Sequence, residues 1–238
     1  MAKRAVNAKK KASPATTAKD ESLKNKKARA SKIVSAFRKS YPGATCALNH
    51  SSALELLVAT ILSAQCTDER VNMVTPALFG RYKTPADYAA ESPAMFQEQI
   101  RSTGFFRQKT KSILGACAAI ATEHAGQVPQ TMEELLRLPG VARKTANVIL
   151  GTWFGKSEGI CVDTHVGRLA CRMGLTWTSR DTKDAVKIEA DLMQVITRRS
   201  WTFFSHAMIL HGRQVCAARK PTCDACVVAK WCPSAFAC

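Results

Sequence analysis

From Ile33 onward, apolar residues return at the spacing of a helix and not at the spacing of a strand. Ala146, Ile149, Leu150 and Trp153 recur at i, i+3, i+4 and i+7, and the stripes Val186, Ala190, Met193, Ile196 and Phe204, Ala207, Met208, His211 repeat the pattern. No two alternating apolar runs flank an Asn-Gly or Asp-Gly pair, so no hairpin is signalled. Helix starts are marked instead. Ser52-Ala-Leu-Glu55 and Thr131-Met-Glu-Glu134 read as capping boxes, the first opening an apolar helix to about Ala64. Thr84-Pro85 and Ser92-Pro93 place a hydroxyl cap before a proline at the first helical position. The expected class is all-α, with many helices and short loops. At 238 residues the chain has room for one large or two modest domains.

Charge then narrows the function. There are 35 Lys and Arg against 18 Asp and Glu, a formal +17, which points to an anionic partner. Ten of those cations fall in the first thirty residues, which hold no aromatic residue and almost no large aliphatic one. Such a stretch cannot repay its ordering entropy, so residues 1–30 read as a disordered basic tail. The longest apolar run, Ala53 to Ala64, is interrupted by Glu55 and is too short to span a bilayer, so no membrane partner is expected. The first thirty residues contain no apolar signal core, and ten cysteines without one point to thiols or metal ligands, not disulfides.

Three constellations carry chemistry. The string Leu138-Pro139-Gly140-Val141-Ala142-Arg143-Lys144-Thr145-Ala146 lies between two helices. Pro139 ends the first, Gly140 allows a turn closed to other residues, and the second begins near Ala142 with amides free to meet one phosphate. Cations are unfavourable at a helix N-terminus, so Arg143 and Lys144 there call for an external anion or a chemical task. Some twenty residues on, Cys161-Val162-Asp163-Thr164-His165 places an acid where a helix N-cap would sit, and the same carboxylate could face a pocket. Cys216, Cys223, Cys226 and Cys232 follow a C-x6-C-x2-C-x5-C pattern. Four thiolates that close converge on one centre, either tetrahedral zinc or a [4Fe–4S] cluster. Cys46, Cys66, Cys117, Cys161, Cys171 and Cys238 lie outside the pattern and read as buried free thiols.

Together these strings resemble the helix–hairpin–helix DNA glycosylases of the endonuclease III family, over about residue 31 to Cys232. The chain departs from the family in carrying Ala142 where a glycine is usual, and Phe105 where leucine is more frequent. The resemblance implies two helical domains with a cleft between them and a C-terminal iron–sulfur loop. One domain would span 46–156, and the other would combine 31–45 with 157–238. It implies a [4Fe–4S] cluster on the four spaced cysteines, with Lys144 as nucleophile and Asp163 as the catalytic carboxylate on opposite lips of the cleft. Gln65 and Phe105 would fill the space left by an extruded base, and Asp68, Leu138, Gly140, Ala142, Arg143, Arg219 and Lys220 would contact DNA.

The function so implied is base-excision repair. Lys144 displaces an oxidised pyrimidine through a Schiff base, and β-elimination then cuts 3′ to the abasic site. The partner is double-stranded DNA bearing oxidised pyrimidines or abasic sites, and the protein is expected to act as a monomer. The composition suits a bacterial cytoplasm and leaves nucleus and mitochondrion open. An adenine-mismatch glycosylase would lack the lysine and carry an acid in the stretch that reads Val58-Ala-Thr-Ile-Leu-Ser-Ala-Gln65 here. A non-catalytic DNA-binding module would explain the basicity and the hairpin but leave Lys144 and Asp163 idle.

Overall fold

The structure, a computed structural model, describes residues 21–237. Residues 1–20 of the expected tail, and Cys238, lie outside the described residues. Among the described residues there are eleven α-helices and no strand. They are α1 (Leu23–Ser40), α2 (Ala53–Leu62), α3 (Asp68–Arg81), α4 (Pro85–Ala89), α5 (Pro93–Ile100) and α6 (Phe106–Glu123). The rest are α7 (Met132–Arg137), α8 (Arg143–Val148), α9 (Thr164–Arg172), α10 (Ala185–Val195) and α11 (Trp201–Gln214). A single π-helical turn, Ile149–Trp153, continues α8.

Local side chains start these helices. Ser22, Ser52, Thr67, Thr84, Ser92, Thr131, Asp163 and Asp184 each accept a hydrogen bond from a backbone N–H of the first turn. Such a cap contributes about 1 kcal/mol. Thr84 and Asp87 close a full capping box. The two boxes read from the sequence close differently. Glu55 reaches back to Ser51, and Glu134 accepts from the Thr131 hydroxyl instead of its backbone N–H.

Two apolar clusters form. The first gathers Leu56, Leu57, Leu62, Leu78, Tyr88, Phe96, Ile113, Ile120, Leu135 and Ile149. The second joins Ala30, Ile33 and Phe37 of α1 to Val166, Leu169, Ile188, Leu192, Phe204 and Met208. The chain thus begins in the second cluster, builds the first, and returns.

Three expectations need correction. Residues 23–30 are helical, not disordered: Ala30 is fully buried, and Arg29 is fastened across the fold. The Arg29 guanidinium donates to Glu21 at 2.7 Å and to the carbonyls of Gly174 and Trp231 at 3.0 Å each. Composition hid this, because the anchors are polar contacts to distant backbone. The stripe of α10 is also displaced. Val186 is 73% exposed, and the buried face is Ile188, Glu189, Asp191, Leu192 and Val195. Two carboxylates occupy that face, where a hydrophobic pattern cannot register them. Their partners lie elsewhere in the chain; Asp191 Oδ2 accepts from the backbone and hydroxyls of Thr176 to Thr178. Finally, Trp153 leaves the Ala146 stripe and is exposed, because the wider π turn shifts the register after Leu150.

Replacing Arg29 with Ala should lower stability by about 1–3 kcal/mol, since the charged donor is lost while the Gly174 and Trp231 carbonyls it served remain. Thermal melting of Arg29→Ala beside the parent chain checks this.

Candidate active site

Between the two clusters opens a cleft of about 450 Å³ whose walls include Lys144, Asp163, Gln65, Asp68, His206 and Arg213. Lys144 comes from α8, whose Ala146 is buried in the first cluster, and Asp163 caps α9, whose Val166 and Leu169 are buried in the second. Folding therefore brings together two residues that belong to different cores.

The turn before α8 depends on Gly140. Its φ is +76°, and a Cβ there would lie 2.3 Å from the Cβ of Ser112. The N-cap of α8 is Ala142, which offers no side-chain bond, so the first amides of the helix stay open. Of the two cations on that turn, Arg143 finds its anion inside the protein: its Nε donates to Glu189 at 2.8 Å. That hydrogen bond holds the guanidinium above its ordinary pKa. An external anion is thus not required to explain Arg143. Among the described residues, no hydrogen bond or ion pair holds the side-chain nitrogen of Lys144, which is exposed to the cleft.

Asp163 divides its two oxygens. Oδ1 accepts from the Val166 N–H at 2.8 Å, so the residue is the N-cap of α9. Oδ2 has no such partner among the described residues, and the side chain lines the cleft. Burial acts on four groups nearby. Burial pushes the Cys161 thiol up to about 12 and raises that of Cys46, while it lowers His206 and His165. All four move toward their neutral forms.

Gln65 and Phe105 share an unusual backbone. Both are non-glycine residues in the left-handed region, at φ +51° and +47°, and both are exposed, Phe105 at 64%. Phe105 stands between the exposed Gly104 and α6, with Arg101 and Arg107 both over the ring of the adjoining Phe106. A core aromatic it is not. Leu138 is 3% exposed and packs in the first cluster, with its side chain facing inward toward apolar neighbours, which leaves its backbone as the part that could meet DNA. Asp68 meets Arg213 at 2.8 Å, so its charge is balanced within the chain. Arg219 and Lys220 are exposed on the cysteine loop.

The four spaced cysteines line one small pocket with Arg172 and His211. Arg172 donates to Cys216 Sγ at 3.2 Å and to the carbonyls of Ala217 and Ala218 at 2.7 Å each. His211 Nε2 lies 3.3 Å from Cys226 Sγ, and its Nδ1 lies 2.9 Å from the Tyr41 hydroxyl. Burial pulls His211 down to about 4, so the ring is neutral. Of the remaining cysteines described, Cys117 and Cys161 are buried and Cys46, Cys66 and Cys171 half-buried.

Residues 58–198 match the model of the HhH-GPD superfamily base excision DNA repair proteins. Over 215 residues, 90% of this chain and 96% of its relative, the sequence is 55% identical to endonuclease III of Synechocystis sp.. The chain belongs to the endonuclease III family. Family likeness extends to endonuclease III of Bacillus subtilis, 42% identical over 81% of this chain and 86% of that protein. It extends to that of Escherichia coli K12, 37% identical over 87% and 95%. In three dimensions the chain is similar to a trapped endonuclease III–DNA covalent intermediate in an estranged-adenine complex. That match has a TM-score of 0.80 and 39% identity, covering 87% of this chain and 95% of that one.

Glu189, Asn147, His206 and Arg213 were not singled out by sequence reasoning. His206 and Arg213 lie on α11 outside its apolar stripe of Phe204, Ala207, Met208 and His211, and nothing local distinguishes Glu189 from a surface acid.

Backbone strain yields a test. Gln65→Gly and Phe105→Gly should melt within about 1 kcal/mol of the parent chain or above it, since each relieves a left-handed residue. Gly140→Ala should lose about 1–3 kcal/mol, because both its φ and Ser112 oppose a side chain. Melting curves of the three variants decide.

Proposed function

We infer that the chain acts in base-excision repair as a DNA glycosylase with AP-lyase activity, the activity of the family to which it belongs. The observation that carries the residue assignment is the placing of an unpartnered lysine and a half-free carboxylate in one cleft between two cores. We propose oxidised pyrimidines in double-stranded DNA as the substrate. The amine nitrogen of Lys144 attacks C1′ of the lesion nucleotide, and the base leaves with the electrons of its glycosidic bond. Asp163, through the oxygen not engaged by α9, steadies the positive charge that develops on the sugar and takes part in the proton transfers. The ring opens to a Schiff base on Lys144, a proton is lost from C2′, and the 3′ phosphate departs by β-elimination.

The remaining residues position DNA. The open amides at Ala142 and the turn at Gly140 would take one phosphate, with the outer edge of Arg143 beside them. Gln65 and Phe105 would occupy the gap left by the extruded base from two sides. Asp68 would act on DNA through Arg213, which it holds at the cleft.

The donor set of the cysteine pocket suits a [4Fe–4S] cluster: four sulfurs ring the space, and Arg172 and His211 stand beside two of them as hydrogen-bonding groups. Among the described residues, no three ligands gather as they would around a single metal ion. When bound, the cluster would supply structure, with four thiolates leaving no open position for substrate. It would hold the loop of Arg219 and Lys220 in shape toward phosphates. No helix among the described residues is long and apolar enough to cross a membrane. We propose a monomer acting on bacterial chromosomal DNA in the cytoplasm.

Borohydride reduction should trap the parent chain on lesion DNA, and Lys144→Ala should give no adduct. Asp163→Asn should keep binding but lose base excision by about 100-fold or more. Equal trapping of Lys144→Ala overturns the assignment. Purified protein should contain iron and acid-labile sulfide in equal amounts with a broad visible absorption, and Cys226→Ala should lose both. Zinc alone in the parent chain would refute the cluster.

A further inference from the structure

The helix that carries the nucleophile is held weakly by its own ends. α8 spans six residues, its N-cap is an alanine without a side-chain bond, and it passes directly into the π turn. Beyond its packing against α2 and α7, the polar contact that bears on its roll comes from α10. Glu189 is buried, its Oε2 accepts from Arg143 Nε at 2.8 Å, and its Oε1 accepts from Asn147 Nδ2 at 2.9 Å. Arg143 and Asn147 are four residues apart and share one face of α8. The next pair at that spacing, Lys144 and Val148, lines the cleft. A helix turns by about 100° per residue, so fixing the first face fixes where the second one points.

We propose that Glu189 is a positioning residue for base excision, which sets the roll of α8 and so aims Lys144 at the site that Asp163 faces. The link is made to the right body. α10 is buried in the second cluster through Ile188, Leu192 and Val195, as is α9, the helix that Asp163 caps. One carboxylate therefore ties the lysine helix to the core that carries its catalytic partner. Space around it is closed: a Cβ on Gly159 would lie 2.0 Å from Glu189 Oε1 and 2.6 Å from Asn147 Nδ2. A buried carboxylate is retained only where its partners are well placed, and the two donors here come from a single helix face. The charged pair with Arg143 is the stronger and more directional of the two bonds.

The proposal rests on the reading of Lys144 and Asp163 given above, and the test separates the two. Glu189→Gln keeps the volume but offers one acceptor oxygen to two donors. Single-turnover excision from a thymine-glycol duplex, at saturating enzyme and well below the melting temperature, should slow by about 10- to 100-fold. Affinity for a duplex with an uncleavable tetrahydrofuran abasic analogue should stay within about threefold, because ground-state contacts are intact. Asn147→Ala, which leaves the Arg143 bond in place, should give a smaller loss of the same kind and serves where Glu189→Gln does not fold. A lowered melting temperature with an unchanged excision rate would make Glu189 a purely structural ion-pair partner and overturn the proposal. So would a loss of analogue binding as large as the loss of rate. Failure of the parent chain itself to excise or to be trapped would count against the catalytic assignment instead.

Discussion

The site depends on how a six-residue helix is seated between two apolar cores. α8 buries Ala146 in the first cluster, turns Arg143 and Asn147 to a carboxylate of the second, and shows Lys144 to the cleft. Such a helix has little stability of its own, since a short helix forms only where tertiary packing supports it. Its conformation is set by what surrounds it: Gly140 and Ser112 behind the turn, the π turn after it, Glu189 at its side. The placing of Lys144 in the cleft is in this sense a property of the joint between the cores.

The protein also holds two exposed residues in unfavourable backbone conformations. Gln65 and Phe105 take left-handed backbone angles without being glycine, and both project outward instead of packing. Strained residues held by a rigid surround are suited to entering a DNA stack, because their conformation is already fixed before the duplex arrives. In the cleft that Gln65 lines, burial holds the Cys161 thiol and the His206 imidazole toward their neutral forms. Burial of this kind strengthens the interaction between a carboxylate and a developing cation.

The C-terminal loop follows another logic. It contains no long helix, and its order comes from side chains reaching in from elsewhere. Arg172 of α9 grips the carbonyls of Ala217 and Ala218, Arg168 donates to the carbonyls of Gly212 and Cys216, and Arg29 of α1 holds the Trp231 carbonyl. Three arginines from two helices thus hold a segment in which Val228 alone is fully buried among the described residues.

Much of this was written in the chain's local pattern. Caps at Ser52, Thr84, Ser92 and Thr131 announced helices, the Pro139-Gly140 turn announced the hairpin, and four spaced cysteines announced one pocket. Each is a relation among residues close in sequence, where side chain and backbone interact whatever the rest of the chain does. The polar contacts between distant segments were not legible. The buried carboxylates of α10 read as a solvent face, Arg29 read as tail, and the pairing of Asp68 with Arg213 had no local sign. A buried charge is tolerated only if its partner is in place, and whether the partner is there depends on how helices separated by scores of residues come to lie together. The sequence by itself determined where most of the helices start and which residues are candidates for the chemistry. The tertiary structure alone decided which face of each helix is inside, and that Lys144 and Asp163 share one cleft.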